Sequence, residues 1–260
     1  MLITVRHNKI LSMLNEQETV RVSEMSEACG VTEETIRRDL EKLENQGKLA
    51  RIHGGAIAIK DKESDLSHLQ REVLNKKEKM AVAREAVKFI EENDIIFLDA
   101  SSTALYLARL IPNIELTVLT NSIQICMELS KNSNIRVICA GGTLSPKSMS
   151  FVGPLTLQTL ESYYVNKLFF SCKGLHDEWG ISDSNELQSL VKRTMMQMAD
   201  KKYLLLDHTK LESKAFAHID KVDAIDYLII DDEAADESLA AFKEKGIQVI
   251  KANKTESLTI

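Results

Sequence analysis

The chain has 260 residues, a formal charge of −6 and 44% apolar side chains, which suits a globular protein with one small module and one sizeable core. No apolar run approaches the length that spans a bilayer, and the N-terminus lacks the basic, apolar and small-residue zones of a secretory signal, so a cytoplasmic location is expected. The acidic sum argues against a nucleic-acid partner, but residues 1–60 carry nine basic groups (Arg6, Lys9, Arg21, Arg37, Arg38, Lys42, Lys48, Arg51 and Lys60) against nine acidic ones, so the acidic excess lies beyond them.

In chain order, Ser23 to Cys29 predicts a short helix and Gly30 a turn. A second helix then starts sharply, because Thr32 can cap its free N–H groups while Val31 staples against Ile36; Gly47 ends it. Ile36, Leu40 and Leu43 share its buried face, leaving Thr35, Arg38 and Lys42 on the opposite face with Arg37 flanking. Such donors suit guanine edges and phosphates of double-stranded DNA. Pairing of Arg37, Arg38 and Lys42 with Glu34, Glu41 and Glu44 on a solvated helix is the plain alternative. Two successive helices at this spacing fit a helix-turn-helix, and Arg51-Ile-His-Gly-Gly-Ala56 follows as a short β-wing, adding Arg51 and His53 to the expected DNA contacts.

From Ile59 to about Glu72 the sequence is charged and has no apolar stripe, which predicts a linker. Asn75-Lys-Lys-Glu78 predicts a capped helix that buries Met80, Ala83, Ala86, Val87 and Ile90. Seven apolar runs then alternate with helical segments: Ile95–Asp99, Leu116–Thr120, Ile135–Ala140, Lys167–Cys172, Tyr203–Asp207, Tyr227–Asp231 and Ile247–Ile250. The pattern predicts a parallel α/β sheet covered on both faces.

Ligands of such sheets bind beyond the carboxyl ends of the strands. Polar and glycine residues recur there: Asp99 with Ser101, Ser102 and Thr103; Asn121; Gly141 and Gly142; Lys173 and Gly174; Asp207 with Lys210. The hydroxyls of residues 101–103 precede a helix whose N-terminus would attract a phosphate, with ordinary helix capping as the plainer, less favoured alternative. Lys192 and Lys210 could supply cations to that phosphate or be surface lysines.

The segments Thr35-Ile-Arg-Arg-Asp-Leu40 and His53-Gly-Gly-Ala56, with Ile96-Phe-Leu-Asp99, Thr120-Asn-Ser122, Val191-Lys-Arg193 and Asp207-His-Thr-Lys210, resemble the DeoR family of bacterial transcriptional regulators over nearly the whole chain. The resemblance implies a winged helix-turn-helix over 1–57, a linker over 58–74, a sugar-phosphate effector domain over 75–251 with the ribose-5-phosphate isomerase fold, and a polar tail over 252–260. It also implies a homo-oligomeric repressor, dimer or tetramer, of a carbohydrate-catabolism operon that a phosphorylated sugar releases from its operator. It is the resemblance that puts weight on Lys192. Where the family commonly has glycine then threonine, this chain has Ser101 and Ser102, so the backbone is more restricted, and either a differently placed phosphate or an unusual preferred sugar is expected.

An isomerase-like enzyme with an accessory DNA-binding domain is the rival reading. Asp99, Asp177, Glu178, Asp183 and Asp207 offer carboxylates for proton transfer, but no lysine precedes a glycine run like that of the isomerase active site. The six histidines show no ligand spacing, so no metal is expected. Cys29, Cys126, Cys139 and Cys172 sit singly in apolar segments and read as buried, reduced thiols. Met195, Met196 and Met198 are expected in core or subunit packing, and Trp179 in loop packing or against a sugar ring.

Overall fold

A computed structural model describes residues 2–17, 19–45, 48–58 and 66–253. The chain divides into two compact units, Met1–Leu74 and Asn75–Ile260.

The first unit runs α1 (Ile3–Gln17), β1 (Thr19–Arg21), α2 (Val22–Cys29), α3 (Glu33–Asn45), β2 (Leu49–Ile52), β3 (Gly55–Ala58) and α4 (His68–Val73). Ile10 and Leu14 of α1, Met25 of α2, and Ile36, Leu40 and Leu43 of α3 close one core with Val20 and Leu49. Gly30 ends α2 in the left-handed region at φ 62°, and its N–H donates to the carbonyls of Glu27 and Ser26. Thr32 caps α3, since its Oγ1 accepts the N–H of Thr35 at 3.3 Å. The helix end expected at Gly47 lies outside the described residues; beyond it, the N–H of Lys48 donates to the carbonyl of Leu43.

The wing is the antiparallel hairpin β2–β3, and β1 pairs with the other edge of β3 to give the order β1-β3-β2. Its two glycines are there for different reasons. Gly54 takes φ +83° at the turn, whereas a Cβ on Gly55 would stand 2.4 Å from the carbonyl oxygen of Val20.

The linker expectation needs revision at its C-terminal part. Residues 68–73 form α4, opened by a capping box in which Ser67 Oγ accepts from Gln70 N–H and Gln70 Oε1 accepts from Ser67 N–H. Leu66, His68 and Gln70 are buried. Two buried polar residues in this segment hid it from a search for apolar periodicity.

The second unit starts with α5 (Lys76–Val87), then β4 (Ile95–Leu98), α6 (Ser102–Leu110), β5 (Leu116–Thr120), α7 (Ile123–Leu129) and β6 (Ile135–Cys139). A hairpin of β7 (Thr143–Ser145) and β8 (Ser150–Val152) follows, then α8 (Pro154–Leu160), β9 (Val165–Phe170), β10 (Gly174–His176), β11 (Gly180–Asp183), α9 (Glu186–Gln197) and β12 (Ala199–Leu206). The chain closes with β13 (Ala217–Asp220), β14 (Tyr227–Asp231), α10 (Asp236–Glu244) and β15 (Gln248–Ala252).

All seven apolar runs are strands of one sheet, ordered β15-β14-β12-β9-β4-β5-β6, and every neighbouring pair is parallel. Alternate residues serve opposite cores. Leu168 and Phe170 of β9 pack with α9 and α10, while Phe169 between them packs with α5, α6 and α7. In sequence the strands run outward from β4 in one direction and then from β9 in the other, so the order reverses between these two. That is the switch point, where a crevice opens beyond the strand ends. Three-residue strands without apolar alternation, and the small antiparallel sheet β10-β11-β13, were not legible in advance.

Asn75 marks the start of α5 but does not cap it as expected. It adopts φ 50°, makes no side-chain cap bond, and its amide donates instead to Asp207 Oδ1 at 3.1 Å and Thr209 Oγ1 at 3.2 Å.

Candidate functional site

In the first unit, α3 buries Ile36, Leu40 and Leu43 and leaves Arg37, Arg38 and Lys42 exposed, with Thr35 half-buried beside them. Both arginines are occupied within the helix: Arg37 reaches Glu33 at 2.6 Å and Arg38 reaches Glu34 at 3.3 Å. Pairs this exposed are worth little, so a phosphate or a guanine edge can replace the glutamates at small cost. Arg51 is held by Glu44 through its backbone N–H at 2.8 Å and its Nε at 2.7 Å, and His53 stands exposed at the wing turn.

Sequence reasoning missed what fixes this helix. Asp39, buried on the far side of α3, accepts from Arg6 Nε, from Arg6 Nη2 at 3.1 Å and lies 3.1 Å from His7 Nε2. Burial would raise the Asp39 pKa, but these two partners of α1 hold it below the ordinary value. The hydrogen bond to Asp39 in turn raises the pKa of Arg6. A charged residue directly after two arginines looks like surface from its neighbours, and only the fold brings residue 6 to residue 39.

In the second unit, a continuous polar network lies over the ends of β4, β9 and β12, at the switch point. Asp99 accepts from the N–H of Ser101 at 3.2 Å and of Ser171 at 3.3 Å. Lys192 of α9 lies 3.6 Å from Asp99 and donates to Asp183 at the end of β11. Ser171 Oγ accepts from Lys210 at 3.2 Å, and Lys210 lies 3.5 Å from Asp207, which also takes the Asn75 and Thr209 bonds. Asp99, Asp183, Asp207, Lys192 and Lys210 are all buried. Burial would lower the Lys192 pKa, but Asp183 and Asp99 raise it above the ordinary value. Burial would likewise raise that of Asp207, but Lys210 and Lys79 hold it at about 2. Lys192 and Asp207 are therefore held in their charged forms, and neither Lys192 nor Lys210 is a surface lysine. Ser171, Asp183 and Asn75 join it although none stood among the expected effector residues.

The remaining expected residues fall around this network in distinct ways. Ser101 Oγ caps α6 by accepting from Ala104 N–H at 3.1 Å, Ser102 opens the helix, and the buried Thr103 Oγ1 has no hydrogen-bond partner. Asn121 ties the end of β5 to the β7–β8 hairpin, donating from Nδ2 to the carbonyl of Phe151 at 2.9 Å, while its buried Oδ1 has no partner. Gly142 closes against α8, where a Cβ would lie 2.1 Å from Thr156 Oγ1, and that hydroxyl donates to the Gly141 carbonyl. Gly174 passes the 213 backbone, where a Cβ would meet the Ser213 carbonyl oxygen at 2.4 Å; Lys173 is half-buried beside it.

Asp177 and Glu178 occupy the β10–β11 turn, where Asp177 pairs with Lys245, and do not join the network. Trp179 packs edge-on against His218 at 5.5 Å, and Met195 and Met196 are core. The cysteine expectation holds for Cys29 and Cys172, which are buried; it fails for Cys126, which is half-buried, and for Cys139, which is exposed at an edge-strand end. One histidine does meet carboxylates: His208 lies 2.9 Å from Asp231 through Nδ1 and 3.2 Å from Glu233 through Nε2. Because Asp231 also accepts the His208 N–H at 2.6 Å, the contact pins the turn carrying Asp207 and Lys210.

Residues 6–62 match the DeoR-like helix-turn-helix domain, and residues 74–232 match the DeoR C-terminal sensor domain. The chain belongs to the DeoR family. This regulator is 47% identical over 249 residues to the HTH-type transcriptional regulator YulB of Bacillus subtilis, covering 96% of each chain. It is 38% identical to the L-fucose operon activator of Haemophilus influenzae, over 87% of this chain and 91% of that one. Among solved structures, ribose 5-phosphate isomerase A from Methanocaldococcus jannaschii aligns at 18% identity over 52% of this chain and 54% of that one, with a TM-score of 0.39. Among the described residues, no helix is long and apolar enough to cross a membrane.

Proposed function

We propose that this DeoR-family protein is a cytoplasmic, homo-oligomeric repressor of a carbohydrate-catabolism operon, and that a phosphorylated sugar bound at the switch-point crevice releases it from DNA. The observation that carries the reading is the buried, ion-paired network of Asp99, Asp183, Asp207, Lys192 and Lys210 over the ends of the central strands, in a chain that also carries a recognition helix with Arg37, Arg38 and Lys42 exposed. Ser101, Ser102 and Thr103 at the start of α6, with Asn121, Gly141, Gly142, Lys173 and Gly174 on the adjoining loops, complete the proposed effector site. The proposed DNA contacts are Thr35, Arg37, Arg38 and Lys42 of α3 with Arg51 and His53 of the wing.

A sensor rather than a catalyst fits the pairing. Asp99 and Asp183 share Lys192, and Asp207 holds Lys210, so these carboxylates are tied into ion pairs instead of standing free as proton acceptors. An effector that alters this pairing can favour one arrangement of the sensor domain over another, and about 1–3 kcal/mol of coupling would suffice to change operator affinity 5- to 150-fold.

Fluorescence anisotropy of the purified protein on its own upstream DNA, repeated with a panel of sugar phosphates, tests the whole reading. Release by one compound is expected. Tighter binding on addition of that compound would reverse the sign of regulation, as the name of the Haemophilus relative suggests for that protein. Tight DNA binding indifferent to every compound would overturn the effector assignment. In the same assay Arg38→Ala should weaken operator binding at least several-fold with thermal unfolding of the sensor unit unchanged, and equal affinity would remove Arg38 from the interface.

A further inference from the structure

Cys126 and Cys139 stand outside every role described so far. Ile135, Val137 and Cys139 occupy alternate positions of β6, and Ile135 and Val137 pack into the core that α7 covers through Ile125 and Leu129. Cys139 therefore closes the same face at its exposed end, and Cys126, next to Ile125 on α7, lies over it. The two thiols are neighbours there, each the largest influence on the other. One sulfur is exposed and the other half-buried, at the outer edge of the seven-stranded sheet.

We propose that Cys126 and Cys139 form a peroxide-sensitive dithiol, with Cys139 the attacking sulfur and Cys126 the resolving one. The arrangement assigns the roles. Cys139 is open to solvent, where peroxide can reach it and water stabilises its thiolate; Cys126 is half-buried, which favours its protonated form. In keeping with this, the neighbouring Cys126 thiol brings the Cys139 pKa down to about 7, and Cys139 raises that of Cys126. In the first step the Cys139 thiolate displaces hydroxide from hydrogen peroxide, forming an S–O bond as the O–O bond breaks, and becomes a sulfenic acid. In the second, Cys126 attacks that sulfur, its proton leaves with the hydroxyl as water, and the S–S bond forms. Two thiols lose two electrons, which the peroxide takes.

The bond would tether α7 to β6 just below the loops that follow β5 and β6, fixing the separation of Asn121 from Gly141. Cys29 and Cys172 cannot substitute. Both are buried, and burial pushes the Cys172 thiol up to about 12.

The test treats the full-length protein with one equivalent of hydrogen peroxide at pH 7, followed by intact mass and peptide mapping under non-reducing conditions. The expected result is loss of two hydrogens and one intramolecular Cys126–Cys139 peptide. Cys126→Ser should stop at a sulfenic acid on Cys139 that a dione trap captures, and Cys139→Ser should leave Cys126 a thiol. Alkylation of Cys139 by iodoacetamide at pH 7 should run roughly five-fold faster than that of an ordinary exposed thiol, because a larger thiolate fraction outweighs the lower nucleophilicity of a weaker base. Four free thiols after treatment, or a bond between two chains instead of within one, would overturn the proposal. So would trapping at Cys126 in the Cys139→Ser variant, since it would reverse the roles.

Discussion

Asp207 shows how much a single side chain of the crevice can be asked to reveal. Burial alone would favour its neutral form, yet the charges of Lys210 and Lys79 and the bonds from Thr209 and Asn75 hold its pKa at about 2 against an ordinary 3.8. A carboxylate depressed in the folded state adds stability above its unfolded value, and that contribution disappears as pH falls from about 4 toward about 2. The difference corresponds to roughly 2 kcal/mol. Trp179 is the sole tryptophan and lies in the second unit, so its fluorescence during denaturant unfolding reports that unit alone. Between pH 5 and pH 2 the native protein should lose about 2 kcal/mol more of this stability than Asp207→Asn, which has no carboxylate to protonate. Parallel losses would show that Asp207 is not held ionised. The sequence placed Asp99, Asp207 and Lys210 at strand ends because apolar runs stop there. It could not pair them, since Lys192 and Asp99 are brought together only by the packing of α9, and it gave Ser171 no signal at all.

At the level of elements, periodicity was legible wherever a long apolar face met one core: α3 and all seven strands of the parallel sheet follow from it. It failed where polar groups took buried positions, as in α4 and at the α1–α3 contact. That contact carries a sharp expectation. Removing one member of a buried, hydrogen-bonded charge pair strands the other and typically costs about 3–5 kcal/mol, whereas apolar replacement of both is often neutral. Asp39→Asn should therefore speed amide exchange throughout 3–45 and weaken operator binding, while exchange in 75–252 stays as it was. Arg6→Met with Asp39→Leu should restore much of the protection. Equal exchange in Asp39→Asn and the native protein would mean that α1 and α3 are held by Ile10, Leu14, Ile36 and Leu40 alone.

Across the whole molecule, charge bears on how many copies bind DNA at once. Residues 1–60 are electrically balanced, and the exposed cations of α3 are few, so one copy releases few counterions and grips one half-site weakly. Two linked copies make the second contact intramolecular, which can raise apparent affinity about 10²- to 10⁴-fold with no new contact, provided the half-site spacing permits both. The proposed homo-oligomer therefore predicts a particular dependence on probe design. A duplex with two half-sites about one helical turn apart should bind at least about 100-fold more tightly than one with a single half-site, and a half-turn insertion should remove most of that gain. Salt should separate the contributions, because the paired probe engages about twice as many phosphates and should show about twice the slope of log affinity against log salt. If one half-site binds as well as two, each copy acts alone, and the effector must then work within a single chain rather than by changing the geometry between copies.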